Sequence, residues 1–165
     1  MCDNTYCHDM PLALRDELKQ SRPFRSVEEE ALLSIVRTAA ALEHALAQVL
    51  KPYDVTPTQY NVLRILRGAG PAGATCSDVA GSLIRHDPDV TRLLDRLDTR
   101  GLIERGRDAK DRRIVRTKIT KAGAALLAEL DEPVAELHAR QLGHVSDKRL
   151  DDLVALLEET RAGNS

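Results

Sequence analysis

Aromatic side chains are nearly absent from this chain of 165 residues, which contains one Phe, three Tyr and no Trp. A core must therefore be built from aliphatic side chains. That composition favours helices rich in Ala and Leu over sandwiches and barrels, whose strands depend on β-branched and aromatic residues. The scarcity of aromatic rings also excludes the stacking platforms with which proteins bind single-stranded nucleic acid.

Long hydrophobic runs are missing as well. No run of apolar residues comes near the roughly 18 that a membrane-spanning helix needs. The N-terminus carries Asp3 and Asp9 and has no apolar core of a secretory signal, so we expect a cytoplasmic protein. The three cysteines, Cys2, Cys7 and Cys76, are odd in number and lack zinc-ligand spacing. Neither a disulfide scaffold nor a metal site is expected.

Start and stop signals along the chain predict a mainly helical fold. Residues 1–25 show no hydrophobic period and are predicted to form a partly ordered arm. After them, a capping box from Ser26 to Glu29 and later caps, apolar repeats and terminating Gly or Pro residues indicate six helices. Pro133 lies inside the fifth helix and is expected to kink or break it. The six predicted helices cover 26–50, 57–68, 75–84, 87–100, a segment that begins at Thr120 and includes Leu137, and 146–161.

Two short runs between the fourth and fifth helices have strand character. They are residues 102–105 and 114–119, and eight residues, 106–113, separate them. This pattern predicts a β-hairpin with a charged tip. Four helices followed by a strand pair and two further helices predict a mainly α fold with a small β-hairpin wing. We identify residues 57–119 as a winged helix-turn-helix.

The charge distribution is uneven, although the whole chain has a net charge of only −2. Residues 85–121 contain twelve Lys or Arg and seven Asp or Glu, a net charge of +5, while the remaining residues carry −7. A basic segment inside an acidic body is typical of a protein that meets phosphates in one place only.

The predicted helix 87–100 has two distinct faces. Four aliphatic side chains between Val90 and Leu97 form one apolar stripe at spacings of three and four residues. A helix that recognises bases in the major groove needs short polar side chains near its N-terminus and Arg for guanine or phosphate. The preceding helix would cross the DNA backbone and offer N–H groups to a phosphate. An ordinary amphipathic surface helix is the alternative. The residues on and beside the opposite face are Pro88, Asp89, Thr91, Arg92, Asp95, Arg96 and Thr99.

The predicted hairpin tip, residues 107–113, holds four cations in seven positions. A basic loop beside a recognition helix can insert an Arg into a narrow minor groove. Asp111 would be repelled by phosphates if it pointed outward, so we expect that it pairs with Arg113 or caps the turn. A solvated turn without a nucleic-acid role is the alternative.

Four segments together resemble the MarR family, the multiple-antibiotic-resistance regulators. They are residues 90–97 (VTRLLDRL), 101–105 (GLIER), 111–113 (DRR) and 119–123 (ITKAG). The Asp-x-Arg wing followed by a strand and a Thr-Lys-x-Gly helix start is the specific part of this resemblance, which covers about residues 30–160. It implies a homodimer with a winged helix fold that represses nearby genes. It also implies release from DNA by small phenolic or aromatic acids, or by cysteine oxidation.

The resemblance also implies which residues contact DNA. Arg113 would be the wing arginine, oriented by Asp111. Pro88 departs from the family pattern, as do the acidic Asp87 and Asp89, which phosphate would repel but which could accept from cytosine N4. Together with the charged and polar positions discussed above, the predicted DNA-contacting residues are Ser77, His86, Asp87, Asp89, Thr91, Arg92, Arg96, Lys110, Asp111, Arg112 and Arg113.

The terminal helices are predicted to form a dimer. A single domain over 26–161 would include dimerisation helices over 26–50 and 120–161. Of these, helices 27–50 and 146–161 carry more apolar residues than one small domain can cover. Packing within one chain is the alternative. A two-fold dimer would place its recognition helices about 34 Å apart, which predicts an inverted-repeat operator in double-stranded DNA. The dimerisation candidates are Leu32, Leu150, Leu153 and Leu157.

Effector and redox candidates are fewer. The resemblance implies a ligand pocket where the dimerisation helices meet the winged domain. Arg37, His44 and Tyr60 could reach it, and an Arg or His there could bind a carboxylate. They could equally be surface or core-edge residues. A redox function would involve Cys2, Cys7 or Cys76, the last in the first turn of a helix. Incidental reduced thiols are the alternative.

Enzyme motifs are missing or accidental. The string Gly68-x-Gly70-x-x-Gly73 matches the dinucleotide fingerprint, but it follows a helix, contains Pro71 and opens no βαβ unit. No nucleophile has an evident base and orienting partner. We therefore expect neither catalysis nor a cofactor. Two hypotheses remain: a sequence-specific dimeric repressor, and a winged-helix protein–protein module without its own operator.

Overall fold

The computed structural model describes residues 13–85, 87–108 and 111–164. These residues fall into two compact units, one that ends at Glu43 and one that begins at His44. The predicted single domain over 26–161 stays a prediction. Among the described residues, every helix is either too short or too polar to span a lipid bilayer.

Seven helices and two strands make up the described residues. Short 3-10 turns follow the second and third helices, at Lys51–Tyr53 and Gly70–Ala72. The mainly helical fold with one antiparallel hairpin confirms the predicted fold class. In chain order the elements are α1 (Leu14–Glu17), α2 (Val27–Leu50), α3 (Pro57–Ala69), α4 (Cys76–Ser82), α5 (Val90–Thr99), β1 (Ile103–Arg107), β2 (Val115–Ile119), α6 (Lys121–Leu142) and α7 (Asp147–Ala162).

The unit that ends at Glu43 contains α1 and most of α2. Its predicted capping box forms only in part. The Ser26 hydroxyl accepts from the Glu29 N–H at 3.3 Å, as expected, but the Glu29 carboxylate accepts from the N–H of Arg25 rather than from that of Ser26. One residue of the arm, Glu17, pairs with Arg37 of α2 at 3.5 Å.

The unit that begins at His44 has an aliphatic core, as the composition predicts. Helices α3, α5 and α6 and the start of β1 each contribute fully buried side chains. Each such leucine contributes about 1.5–3 kcal/mol by leaving water. The largest fully buried side chains are Leu50, Leu63, Leu66, Leu94, Leu97, Ile103, Leu127 and Leu130.

Caps start three of the helices of this unit where the sequence predicts them. The hydroxyl of Thr56, Thr75 or Thr120 accepts from the N–H three residues later in each case, at 3.1–3.2 Å. Helix α4 ends at Ser82, two residues before the predicted end. Ser146 is the N-cap of α7 by position, without a side-chain hydrogen bond.

Further predicted features differ from the structure. Helix α5 begins at Val90 rather than at Asp87, because the Asp89 side chain caps it. Strand β1 extends to Arg107, so the connection to β2 is shorter than predicted. Of the kink or break expected at Pro133, the break does not occur, because α6 continues to Leu142. Burial of Val134 and Leu137 after the proline holds the helix on the core and offsets the lost hydrogen bond.

Candidate nucleic-acid interface

Helix α5 is fixed by its aliphatic stripe. Val90, Leu93, Leu94 and Leu97 are each at most 7% exposed. Because these positions are spaced by three and four residues, the remaining side chains of the helix must face solvent. The structure therefore presents the predicted polar face, with Thr91, Arg92, Asp95, Arg96 and Thr99 all exposed.

Two acidic residues organise the start of this helix. The Asp87 carboxylate accepts from the N–H of Asp89 at 2.8 Å. The Asp89 carboxylate in turn accepts from the N–H of Arg92 at 3.3 Å and lies 3.1 Å from Arg92 Nε. Both aspartates thus make contacts within the protein. The sequence, which suggested them as acceptors for cytosine, did not predict these contacts.

Helix α4 packs beside the start of α5. Its capping box leaves Cys76 and Ser77 exposed at its first turn, and Cys76 Sγ lies 3.9 Å from Thr91 Oγ1. Hydrogen bonds from the Thr75 N–H and hydroxyl lower the pKa of the Asp78 carboxyl. The carboxylate therefore stays ionised at the N-terminus of α4, where a negative charge is favourable.

The wing is a hairpin closed by acidic side chains. Asp108 pairs with Arg116 at the turn end of the hairpin and accepts from the Asp111 N–H at 3.1 Å. The Asp111 carboxylate accepts from the backbone N–H of Arg113 at 2.9 Å. Of the two alternatives for Asp111, the structure has the turn cap. The Arg112 and Arg113 side chains are exposed, and within residues 13–85, 87–108 and 111–164 no ion pair engages them.

Arg105 joins the wing to helix α5, a role that the sequence analysis missed. Its guanidinium forms an ion pair with Asp95 at 2.8 Å and donates a hydrogen bond to the carbonyl of Thr91 at 3.2 Å. Its Nε is buried without a hydrogen-bond partner in the described structure. The strand period could have revealed this residue, because Arg105 lies two positions after the buried Ile103 and therefore on the same face.

The predicted dimerisation residues leave apolar surface uncovered. Leu32 of α2 is 61% exposed and Leu153 of α7 is 44% exposed, whereas Leu150 and Leu157 are half-buried. Further exposed aliphatic side chains accompany them on both helices. These are Val27, Ile35 and Val36 on α2, and Val154 and Leu156 on α7.

The three predicted effector residues have different surroundings. Arg37 is exposed and pairs with Glu17, and His44 is exposed. Tyr60 is only 6% exposed, and burial raises the pKa of its hydroxyl. A surface cavity of about 710 Å³ lies between the start of α3 and the second half of α5, and none of the three lines it.

Four predicted site residues lie outside the described residues: Cys2, Cys7, His86 and Lys110. Cys76 is a free, exposed thiol. No group of His, Cys, Asp and Glu within the described parts of the chain is arranged to hold a metal ion.

Known proteins match both the sequence and the fold. The sequence profile of the MarR family matches residues 55–115. A MarR transcription factor from Planctomyces limnophilus is similar at 40% identity and a TM-score of 0.62, over 82% of this chain and 98% of that one.

Two further solved structures have a similar fold. A mutant MarR from E. coli, complexed with operator DNA, matches at 27% identity and a TM-score of 0.71, over 89% of this chain and 97% of that one. Bordetella bronchiseptica BpsR, whose DNA binding is regulated by 6-hydroxynicotinic acid, matches at 23% identity and a TM-score of 0.71, over 81% of this chain and 99% of that one.

Proposed function

Because the chain belongs to the MarR family of DNA-binding transcription regulators, we propose that it acts as a homodimeric repressor. In this proposal each protomer places α5 in a major groove and its wing in the adjacent minor groove. The observation that carries the proposal is the polar face of α5, which continues into a basic wing through the contacts of Arg105. The exposed arginines on these two elements can then contact one duplex together.

The wing supplies one proposed minor-groove contact. The Asp111 cap fixes the backbone at Arg113, whose side chain has no ion-pair partner in the described residues. Because no carboxylate of the described residues neutralises it, this arginine can interact with a narrow minor groove, where the negative potential is enhanced. Arg112 is proposed to contact a phosphate.

The exposed apolar side chains support the homodimer. Val27, Leu32 and Val36 on α2 are 57–79% exposed, and Val154 and Leu156 on α7 are 53% and 61% exposed. Clusters of exposed aliphatic side chains of this kind indicate a protein interface. A second copy of the chain is the proposed partner, and a two-fold dimer would bind an inverted repeat with half-sites about one turn apart.

Release by a small aromatic acid or an oxidant is the proposed regulation. A screen of aromatic carboxylates for duplex release would test the ligand. Peroxide release that a thiol reductant reverses, and that a Cys76→Ser variant lacks, would support the oxidant. If all single and combined Cys→Ser variants still respond, the redox proposal fails.

Selection from random duplexes, followed by a salt series on the enriched duplex, tests the proposed function. We expect an inverted repeat, and an affinity that falls steeply with salt because phosphate contacts release counterions. Failure to enrich any duplex, or binding that is independent of salt, would contradict the repressor and favour the protein–protein module.

A further inference from the structure

The carboxylate of Asp89 contacts both the backbone and the side chain of Arg92. One oxygen accepts from the backbone N–H of Arg92 at 3.3 Å, and the other lies 3.1 Å from Arg92 Nε. The first contact caps α5, and the second fixes the side chain of the arginine that follows by three positions. Arg92 itself is 77% exposed, so its guanidinium is held from one side and open on the other.

This geometry decides which N–H groups of Arg92 remain for DNA. A guanidinium is a rigid planar group with five N–H donors, so a carboxylate at Nε leaves one N–H of each terminal nitrogen directed beyond the end of the side chain, away from that carboxylate. Two parallel N–H donors match the O6 and N7 acceptors of guanine, the commonest specific contact in the major groove. We infer that Asp89 is a positioning residue that orients Arg92 for end-on recognition of a guanine, an inference that rests on the proposed DNA binding.

The same contacts argue against direct recognition of cytosine by Asp89. One carboxylate oxygen already accepts from the N–H of Arg92 and the other is ion-paired with Arg92 Nε, so a cytosine amino group would have to compete with both contacts. The adjacent guanidinium also offsets the repulsion between this carboxylate and phosphates. An acidic residue at the start of a recognition helix is thereby compatible with DNA binding.

Substitution can separate the cap from the ion pair. Serine caps a helix about as well as aspartate, but its side chain is neutral and too short to reach Arg92 Nε. Asp89→Ser therefore keeps α5 and frees the arginine, and Asp89→Asn serves as a second variant of native size. Asp98→Asn is the matched control, because it removes one negative charge from the exposed surface of the same helix.

The experiment measures selectivity base pair by base pair. The wild-type protein first enriches a duplex from a random pool, and a panel with each base pair replaced is then titrated with wild type, Asp89→Ser, Arg92→Ala and the double variant. Arg92→Ala identifies the guanine that the arginine contacts. Because exposed ion pairs have a small interaction free energy, we expect Asp89→Ser to reduce discrimination at that guanine about two- to fivefold. In the Arg92→Ala background, Asp89→Ser should change nothing at that base pair.

The outcomes distinguish this inference from the function on which it rests. If wild type enriches no duplex, the proposed DNA binding fails. If wild type enriches a duplex and Asp89→Ser keeps full discrimination at that guanine, the inference alone is overturned. It is also overturned if Asp89→Ser reduces discrimination at a cytosine to the same extent in the wild-type and Arg92→Ala backgrounds. The same holds if Asp98→Asn reduces discrimination at the guanine as much as Asp89→Ser does. Unchanged thermal unfolding of Asp89→Ser confirms that the cap is retained.

Discussion

Gly123 lies where α6 touches the base of the wing, and its replacement by alanine tests how tightly the two are packed. A Cβ at this position would lie 2.2 Å from the Leu102 carbonyl oxygen and 2.9 Å from Ile119 Cγ1. The carbonyl cannot simply turn away, because it accepts from the Thr120 N–H at 3.1 Å. Either the start of α6 or the start of the wing must shift.

Two effects of the added methyl group oppose each other. Alanine has a higher helix propensity than glycine by about 1 kcal/mol. Overpacking against a fixed backbone atom costs about 1–3 kcal/mol. At a distance of 2.2 Å we expect a steric cost in the upper part of this range, about 2–3 kcal/mol, and therefore a net destabilisation of about 1–2 kcal/mol. In a chain of this size that lowers the midpoint of thermal unfolding by about 2–8 °C.

The measurement is urea unfolding followed by circular dichroism at one fixed protomer concentration, since the stability of a dimer depends on concentration. Gly68→Ala is the matched control. Gly68 lies within α3, and its added Cβ would meet nothing within 4 Å. We expect that variant to gain up to about 1 kcal/mol. If both variants raise the unfolding midpoint, the close packing of α6 on the wing is refuted.

Three further predictions concern DNA binding, assembly and acid stability. Arg113→Ala should weaken binding to the selected duplex by about 1–3 kcal/mol in a fluorescence titration, and unchanged affinity would contradict the wing assignment. Leu153→Asp places a charge on the exposed apolar face of α7 and should give a monomer in size-exclusion chromatography with light scattering. A monodisperse dimer would show that α7 does not lie at the interface. The double hydrogen bond from Arg67, at 2.8 and 2.9 Å, holds the pKa of Asp131 below its ordinary value. The stabilisation is therefore present above about pH 4 and is lost as the pH falls through the lowered pKa. Since the Asp131 side chain is 50% exposed, Asp131→Asn should cost no more than about 1 kcal/mol at pH 7. The difference in urea midpoint between this variant and wild type should shrink on acidification, and a difference that grows would contradict the assignment.

Helix starts were predicted correctly where they depend only on residues close together in the sequence. Thr56, Thr75 and Thr120 cap their helices as expected, because the hydroxyl and the N–H that it binds are only three positions apart. The local rules could not choose the start of α5, since Asp87 and Asp89 both satisfy them. Burial of Val90 and Leu93 against the core decides that Asp89 is the cap.

Sequence patterns were enough to predict the family resemblance, the winged helix fold, the polar face of α5 and the charged hairpin. Each of these depends on the periodicity and composition of contiguous segments. Which polar groups make contacts within the protein could not be predicted in this way, because it depends on how distant segments pack. Arg105 is joined to Thr91 across 14 positions, and Arg67 to Asp131 across 64. Such pairs depend on how elements pack around the aliphatic core, and packing also decides which arginines stay exposed and available to DNA.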